Sequence, residues 1–286
     1  MILLKGIKRV RVKNRFYFGL LFLLFFLCWL FLINLVTRSP AAAQQGSQEE
    51  FRISGEQFLK NFYMIPAGAL EEISRDDEIF LQQTFLAGGL IFTSLAFDLK
   101  IREYFQGEIY RGSIPLSRFL YNIGTFEYAV PVFAALYAST RLVEDTYLEN
   151  TLLYSAQSLI LTSVFTEIVK NIVRRERPRN SPEDPLVRGE GGSFFSGHAS
   201  AAWAVLTSVA VSYPKLKIPA YSLAGAVSLA RIYEDAHWFS DVLAGSLAGY
   251  AIARLTGLFY PLESSNITIK PLVETSAVGL SIAGEF

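Results

Sequence analysis

The sequence predicts an all-α chain: a bundle of about six core helices embedded in a membrane, an N-terminal signal or anchor helix, and a short C-terminal β-hairpin. Three observations predict it. Hydrophobic residues fill 51% of the 286 positions and charged residues only 18%, against roughly 25% charged in an average soluble domain. The apolar residues fall in runs of helix length without strand alternation. Only the tail turns β-branched and alternating.

The head comes first. Lys5, Lys8, Arg9, Arg11, Lys13 and Arg15 stand in the first fifteen residues without an acid among them. Phe16–Val36 follows, an apolar run of about 21 residues, long enough to cross a bilayer. The positive-inside rule keeps the basic head in the cytoplasm and sends the chain outward. Ala41-Ala42-Ala43 suits signal peptidase, yet the apolar run exceeds a usual signal core. Residues 1–43 are therefore a cleaved signal or an uncleaved anchor. Residues 44–78 read as a polar linker and an amphipathic stretch at Phe51–Ser74.

The helical domain is expected over 79–259, with apolar segments at about 79–97, 123–139, 151–173, 199–213, 217–231 and 238–259. Pro214 and Pro219 punctuate the boundary between the fourth and fifth segments. These two segments are about 15 residues long, short of the roughly 20 a spanning helix needs. Their small residues suit close packing in a membrane or in a bundle tethered in the periplasm. Residues 260–286 form the tail, with hairpin strands expected at Asn266–Ile269 and Val278–Ile282.

Composition also excludes. The 26 basic residues are matched by 26 acidic ones, so no basic excess exists to hold nucleic acid. The single Cys28 rules out a disulfide scaffold and a cysteine-ligated zinc site.

Chemistry concentrates in three places. The chain has two histidines, His198 and His237, each at the start of an apolar helix, where free N–H groups favour an oxyanion. Upstream lies Lys170-Asn171-Ile172-Val173-Arg174-Arg175-Glu176-Arg177-Pro178. Lys170 and Arg177, seven apart, are placed two turns along one helix face. A point charge and a bidentate fork hold a phosphate together; Arg174, Arg175, Arg177 and Arg179 also read as a plain positive border. Asp241, four residues after His237, is placed on the same face, where a carboxylate would fix the ring tautomer. Two histidines with cations beside them suit phosphoryl transfer: one attacks phosphorus, the other protonates the leaving oxygen. No Asp/Glu cluster of metal-binding spacing accompanies them, so no metal and no cofactor are expected. The polar segment Arg179–Gly192 reads as a loop over the site, where Arg188 and Glu190 could reach a headgroup.

The three blocks, Lys170-x6-Arg177-Pro178, Ser196-Gly197-His198 and Arg231-x5-His237-x3-Asp241, resemble in order and spacing the signature of the type 2 phosphatidic acid phosphatase superfamily, with its bacterial acid phosphatases and vanadium haloperoxidases. The resemblance covers about residues 80–258. It implies an all-helical fold and a phosphohistidine intermediate. By it, Lys170, Arg177 and Arg231 bind phosphate, and Ser196 and Gly197 add hydroxyl and backbone N–H contacts. His198 is the acid and then the base for water, His237 the nucleophile, and Asp241 its orienter. Two positions depart from the pattern: Phe195 stands where the family has Pro, and Ala230 where it has Ser. Neither removes a charged or catalytic position.

The implied function is a metal-independent phosphatase acting on a monoester or diphosphate of a membrane lipid, in the inner membrane of a bacterial-type envelope with its site facing the periplasm. The alternatives are a tethered periplasmic acid phosphatase for soluble esters, a haloperoxidase, and a membrane protein without enzymatic activity. Topology bears on the choice. If Phe16–Val36 and all six later segments span, Lys170 and Arg177 fall in the cytoplasm. An outward site follows if Phe51–Ser74 also crosses or re-enters, or if the bundle does not span.

Overall fold

The structure, a computed structural model, describes residues 52–73, 78–110, 112, 114–123, 126–260, 268–274 and 277–283. The expected signal or anchor at 1–43 lies outside them. Helices α1 (Gly55–Ile73), α2 (Glu78–Tyr104), α3 (Pro115–Ile123), α4 (Phe126–Val143), α5 (Thr146–Val173), α6 (Gly197–Ser212), α7 (Lys217–Tyr233) and α8 (Phe239–Gly257) follow in order. A π-helical turn, Phe105–Ile109, ends α2, and a 3-10 turn, Pro214–Leu216, leads into α7. Strands β1 (Thr268–Glu274) and β2 (Ala277–Ala283) pair antiparallel, Thr268 opposite Ala283 and Glu274 opposite Ala277. The six expected core segments are α2 and α4 to α8. The short helix α3, nine residues long, escaped the run-length criterion.

Helix α6 sits at the centre, packed against α5, α7 and α8, while α2 lies on α8 and α3 on α7. Small residues permit this. Ser208 donates to Ser158 at 3.2 Å and Thr166 pairs with Ser200 at 3.1 Å across the α5–α6 seam. Surplus hydroxyls bond back to their own helix, as Ser155 does to the Thr151 carbonyl. Across the α6–α8 seam, a Cβ on Gly249 would stand 2.1 Å from the Ser200 carbonyl oxygen, and one on Gly245 2.6 Å from that of Ser196. Gly249→Val therefore forces the two backbones apart. Its expected cost is about 3 kcal/mol, the upper end of overpacking, read as a lowered unfolding midpoint in detergent.

Among the described residues one helix, α5, is long and apolar enough to cross a bilayer by length and composition. The buried side of α5 is rich in hydroxyls and amides, including Gln157, Ser158, Thr162 and Thr166. Its other side exposes Ile160, Val164, Ile168 and Ile172, between 40% and 56% accessible. Apolar residues outside and polar ones inside invert the usual arrangement of a soluble helix.

Candidate active site

Three chain breaks converge at one end of the bundle. The first is the end of α5. Asp145 caps its start, accepting from the Leu148 N–H at 2.8 Å, and Arg174 ends it in the left-handed region at φ 52°. The helix thus stops four residues before Arg177. Lys170 and Arg177 do not share a helix face, as their spacing suggested; the turn at Arg174 brings Arg177 back instead. Lys170 Nζ rests 2.8 Å from the exposed Glu167, a surface pair that contributes little and is readily exchanged. Arg177 is anchored by its Nε donating to the Gly191 carbonyl at 3.0 Å.

The second break is the start of α6. Ser196 is the N-cap, its Oγ accepting from Ala199 N–H at 3.5 Å. Its own N–H is given to the Asp241 carbonyl at 3.0 Å, which ties the start of α6 to α8. Gly197 and His198 open the helix, whose first N–H groups have no intrahelical partner. A Cβ on Gly197 would lie 3.2 Å from Lys170 Nζ. Glycine therefore lets the ammonium reach the helix end.

The third break carries the nucleophile candidate. Helix α7 ends at Tyr233 with Arg231 in its last turn, and α8 begins at Phe239. His237 precedes α8 rather than standing on it. Asp241 occupies the third position of α8 and accepts from the N-cap Trp238 N–H at 2.9 Å. The shared helix face expected for His237 and Asp241 is thus replaced by a capping turn. His237 Nδ1 is 2.8 Å from the Ser193 carbonyl and 3.8 Å from Asp241 Oδ2. Its direct partner is the backbone, with the carboxylate behind it. Since a carbonyl can only accept, Nδ1 carries the hydrogen and Nε2 carries the lone pair.

The predicted site residues come together. Tyr121 on α3 links two of them: Arg231 lies over its ring at 4.2 Å and the His198 ring at 5.0 Å. Among the described residues, Arg231 Nε and Nη1 and His198 Nε2 are buried without a hydrogen-bond partner. Burial pushes His198 down to about 3, helped by the charges of Arg231, His237, Lys170 and Arg177. Burial also pushes His237 down to about 4, against the pull of Asp241. Burial raises Asp241, but Arg175, His237 and Ser193 outweigh it and hold the carboxyl below its usual range. Two neutral imidazoles thus face three cations.

Sequence reasoning missed Tyr121, Ser193, Arg175, Asp98 and Ser240. Ser193 Oγ donates to Asp241 Oδ2 at 2.5 Å. Arg175, read as one of a border cluster, is 1% exposed and bonded to both Asp98 and Asp241. Arg188, expected near a headgroup, instead donates to the Val173 and Ile172 carbonyls and closes the end of α5. Glu190 contributes its N–H to the Glu176 carboxylate at 2.8 Å, which gathers the loop. One signal was available: Asp98 is an acid at the end of an apolar helix, where ionisable residues are costly and functional.

Residues 151–264 match the family model described as the PAP2 superfamily. All three motif blocks fall inside the match; α2, which the resemblance had included, lies outside it. No curated protein matches the chain. Among solved structures it is similar to "the first transmembrane PAP2 type phosphatidylglycerolphosphate phosphatase from Bacillus subtilis", at 20% identity and a TM-score of 0.42, covering 71% of this chain and 94% of that one.

Proposed function

We propose that this chain, whose residues 151–264 belong to the PAP2 superfamily, is a phosphatase that uses His237 as nucleophile on the phosphate of a membrane lipid. The carrying observation is the set of buried, unpartnered donors on Arg231 beside a neutral His198 and His237. Among the described residues eight buried side-chain polar atoms lack a hydrogen-bond partner, and three of them stand together here, on Arg231 and His198. Here the donors are cationic, so the fitting ligand is an oxyanion.

The chemistry follows from the protonation states. Lys170, Arg177 and Arg231 hold the phosphoryl oxygens, with the α6 N-terminus adding N–H groups. His237 Nε2 forms the N–P bond as the bond from phosphorus to the leaving oxygen breaks. The leaving oxygen takes a proton from His198. In the free site His198 is neutral, but a bound phosphate anion beside it raises its pKa and supplies the acid form. Neutral again, His198 takes a proton from water, which attacks phosphorus and breaks the N–P bond. Inorganic phosphate leaves.

The lipid assignment rests on the apolar stripe of α5 and on Leu90, Phe92 and Phe97 of α2, all substantially exposed. Large apolar side chains exposed on two helices suit a bilayer. Phosphatidate, phosphatidylglycerophosphate, an isoprenyl diphosphate and a lipid A phosphate all present the group that this cage holds.

The test is phosphate release in detergent from these four lipids and from p-nitrophenyl phosphate, with EDTA present. Release from a lipid, unaffected by EDTA and blocked by vanadate, is expected. Release from the soluble ester alone favours a tethered acid phosphatase. Loss of all activity in EDTA contradicts the metal-independent reading.

A further inference from the structure

We propose that Asp98 is a positioning residue for the nucleophile, acting through Arg175 and Asp241. The inference rests on the reading of His237 as nucleophile. Asp98 stands on α2, outside the segment that matches the family, yet its side chain reaches the base of the site.

The geometry is a closed buried group. Arg175 Nη1 donates to Asp241 Oδ1 at 2.5 Å and Nη2 to Asp98 Oδ2 at 2.6 Å. Its Nε donates to the Pro185 carbonyl at 2.6 Å, and its guanidinium lies 5.4 Å from the centre of the Trp238 ring. Asp98 Oδ1 accepts from the Ser240 N–H at 2.8 Å, and Oδ2 from the Ser240 hydroxyl at 2.6 Å. Asp98, Arg175 and Asp241 are each at most 1% exposed. Asp98 thereby fixes the first turn of α8, which carries Asp241, as well as the guanidinium that holds Asp241.

Charge gives the arrangement a purpose beyond fixation. One guanidinium is shared between two carboxylates. Were Arg175 paired with Asp241 alone, that carboxylate would be neutralised. Asp98 draws half of the guanidinium away, so the group keeps net negative charge beneath His237. When Nε2 bonds to phosphorus, the ring becomes cationic, and that negative charge stabilises it. The groups facing His237 are Asp241 from α8, Arg231 from α7, Arg177 from the segment after α5 and His198 from α6. Arg231 and Arg177 oppose a positive ring and Asp241 favours it, so Asp98 reinforces the single favourable charge.

Asp98→Asn removes the charge and keeps an acceptor for the Ser240 N–H. The expected result is a kcat lowered about tenfold, the scale of lost partners behind a functional ligand, with KM unchanged. The acid limb of kcat/KM moves to lower pH, because His237 loses negative charge nearby and protonates less readily. Asp98→Glu, which keeps the charge, restores part of the rate. If Asp98→Asn does not fold, Arg175→Lys is read in the same way, since an ammonium cannot bridge two carboxylates with its geometry fixed. A folded Asp98→Asn enzyme with unchanged kcat and acid limb overturns the proposal. So does a fall in Tm accompanied by an unmoved limb, which marks a purely structural residue. His237→Ala is run alongside: turnover surviving in that variant defeats the parent reading, whatever Asp98 does.

Discussion

His237→Ala is expected to lower phosphate release by at least about 10⁴-fold, the scale on which loss of a catalytic nucleophile is measured. The reason is local. His237 is 3% exposed, its Nδ1 hydrogen is held by the Ser193 carbonyl at 2.8 Å, and its ring is neutral because burial outweighs Asp241. These conditions leave a lone pair on Nε2 at working pH. The His198 ring is held separately, 5.0 Å from the ring of Tyr121, over which Arg231 also lies. The fold should survive, since alanine leaves no buried charge behind. The measurement is phosphate release at saturating substrate, with circular dichroism as the control. Retained activity at even a tenth of wild type removes His237 from the chemistry.

His198→Ala carries the second-largest expectation, a loss of about 10²–10⁴-fold on a lipid phosphate, the usual contribution of a positioned acid and base. The size should depend on the leaving group. An alkoxide leaves poorly without a proton, whereas p-nitrophenolate leaves readily. Formation of the phosphoenzyme from p-nitrophenyl phosphate should therefore suffer less than formation from a lipid. Hydrolysis of the intermediate should suffer equally for both, because His198 is then the base for water. Rapid-quench rates of p-nitrophenolate burst and phosphate release separate the two steps. An equal loss on both substrates in the first step contradicts the acid role.

The helices were legible because each is an apolar run long enough to be read without its partners. The observed bounds of α5, Thr146–Val173, and α8, Phe239–Gly257, lie close to the expected 151–173 and 238–259. The hairpin was legible from β-branched alternation. Helix α3 was not, since its nine residues, with Ser117 and Arg118 among them, fall short of the apolar run length that marks the other helices. At the site, the motif blocks along the chain picked out Lys170, Arg177, His198, Arg231, His237 and Asp241 as candidates, and the fold brings them to one end of the bundle. Their secondary structure was misread where a helix ends: Arg174 turns the chain at positive φ, and nothing in Arg174-Arg175-Glu176-Arg177 announces which arginine caps, which is buried and which faces the site. The partners of Asp98, Tyr121 and Ser193 were illegible for a simpler reason. Their contacts join residues far apart in sequence, 142 positions in the case of Asp98 and Ser240, and no local pattern encodes such a pairing.

The central claim, a covalent phosphohistidine on His237, is tested most directly by trapping it. Wild type, His198→Ala and His237→Ala would be mixed with a lipid phosphate or with p-nitrophenyl phosphate, quenched in alkaline denaturant and digested for mass spectrometry. The account predicts one added phosphoryl group on the peptide bearing His237 in wild type. It predicts a larger amount in His198→Ala with p-nitrophenyl phosphate, where hydrolysis is slowed, and none in His237→Ala. A phosphoryl group on His198, or phosphate release by wild type with His237 unmodified at every time point, would contradict it.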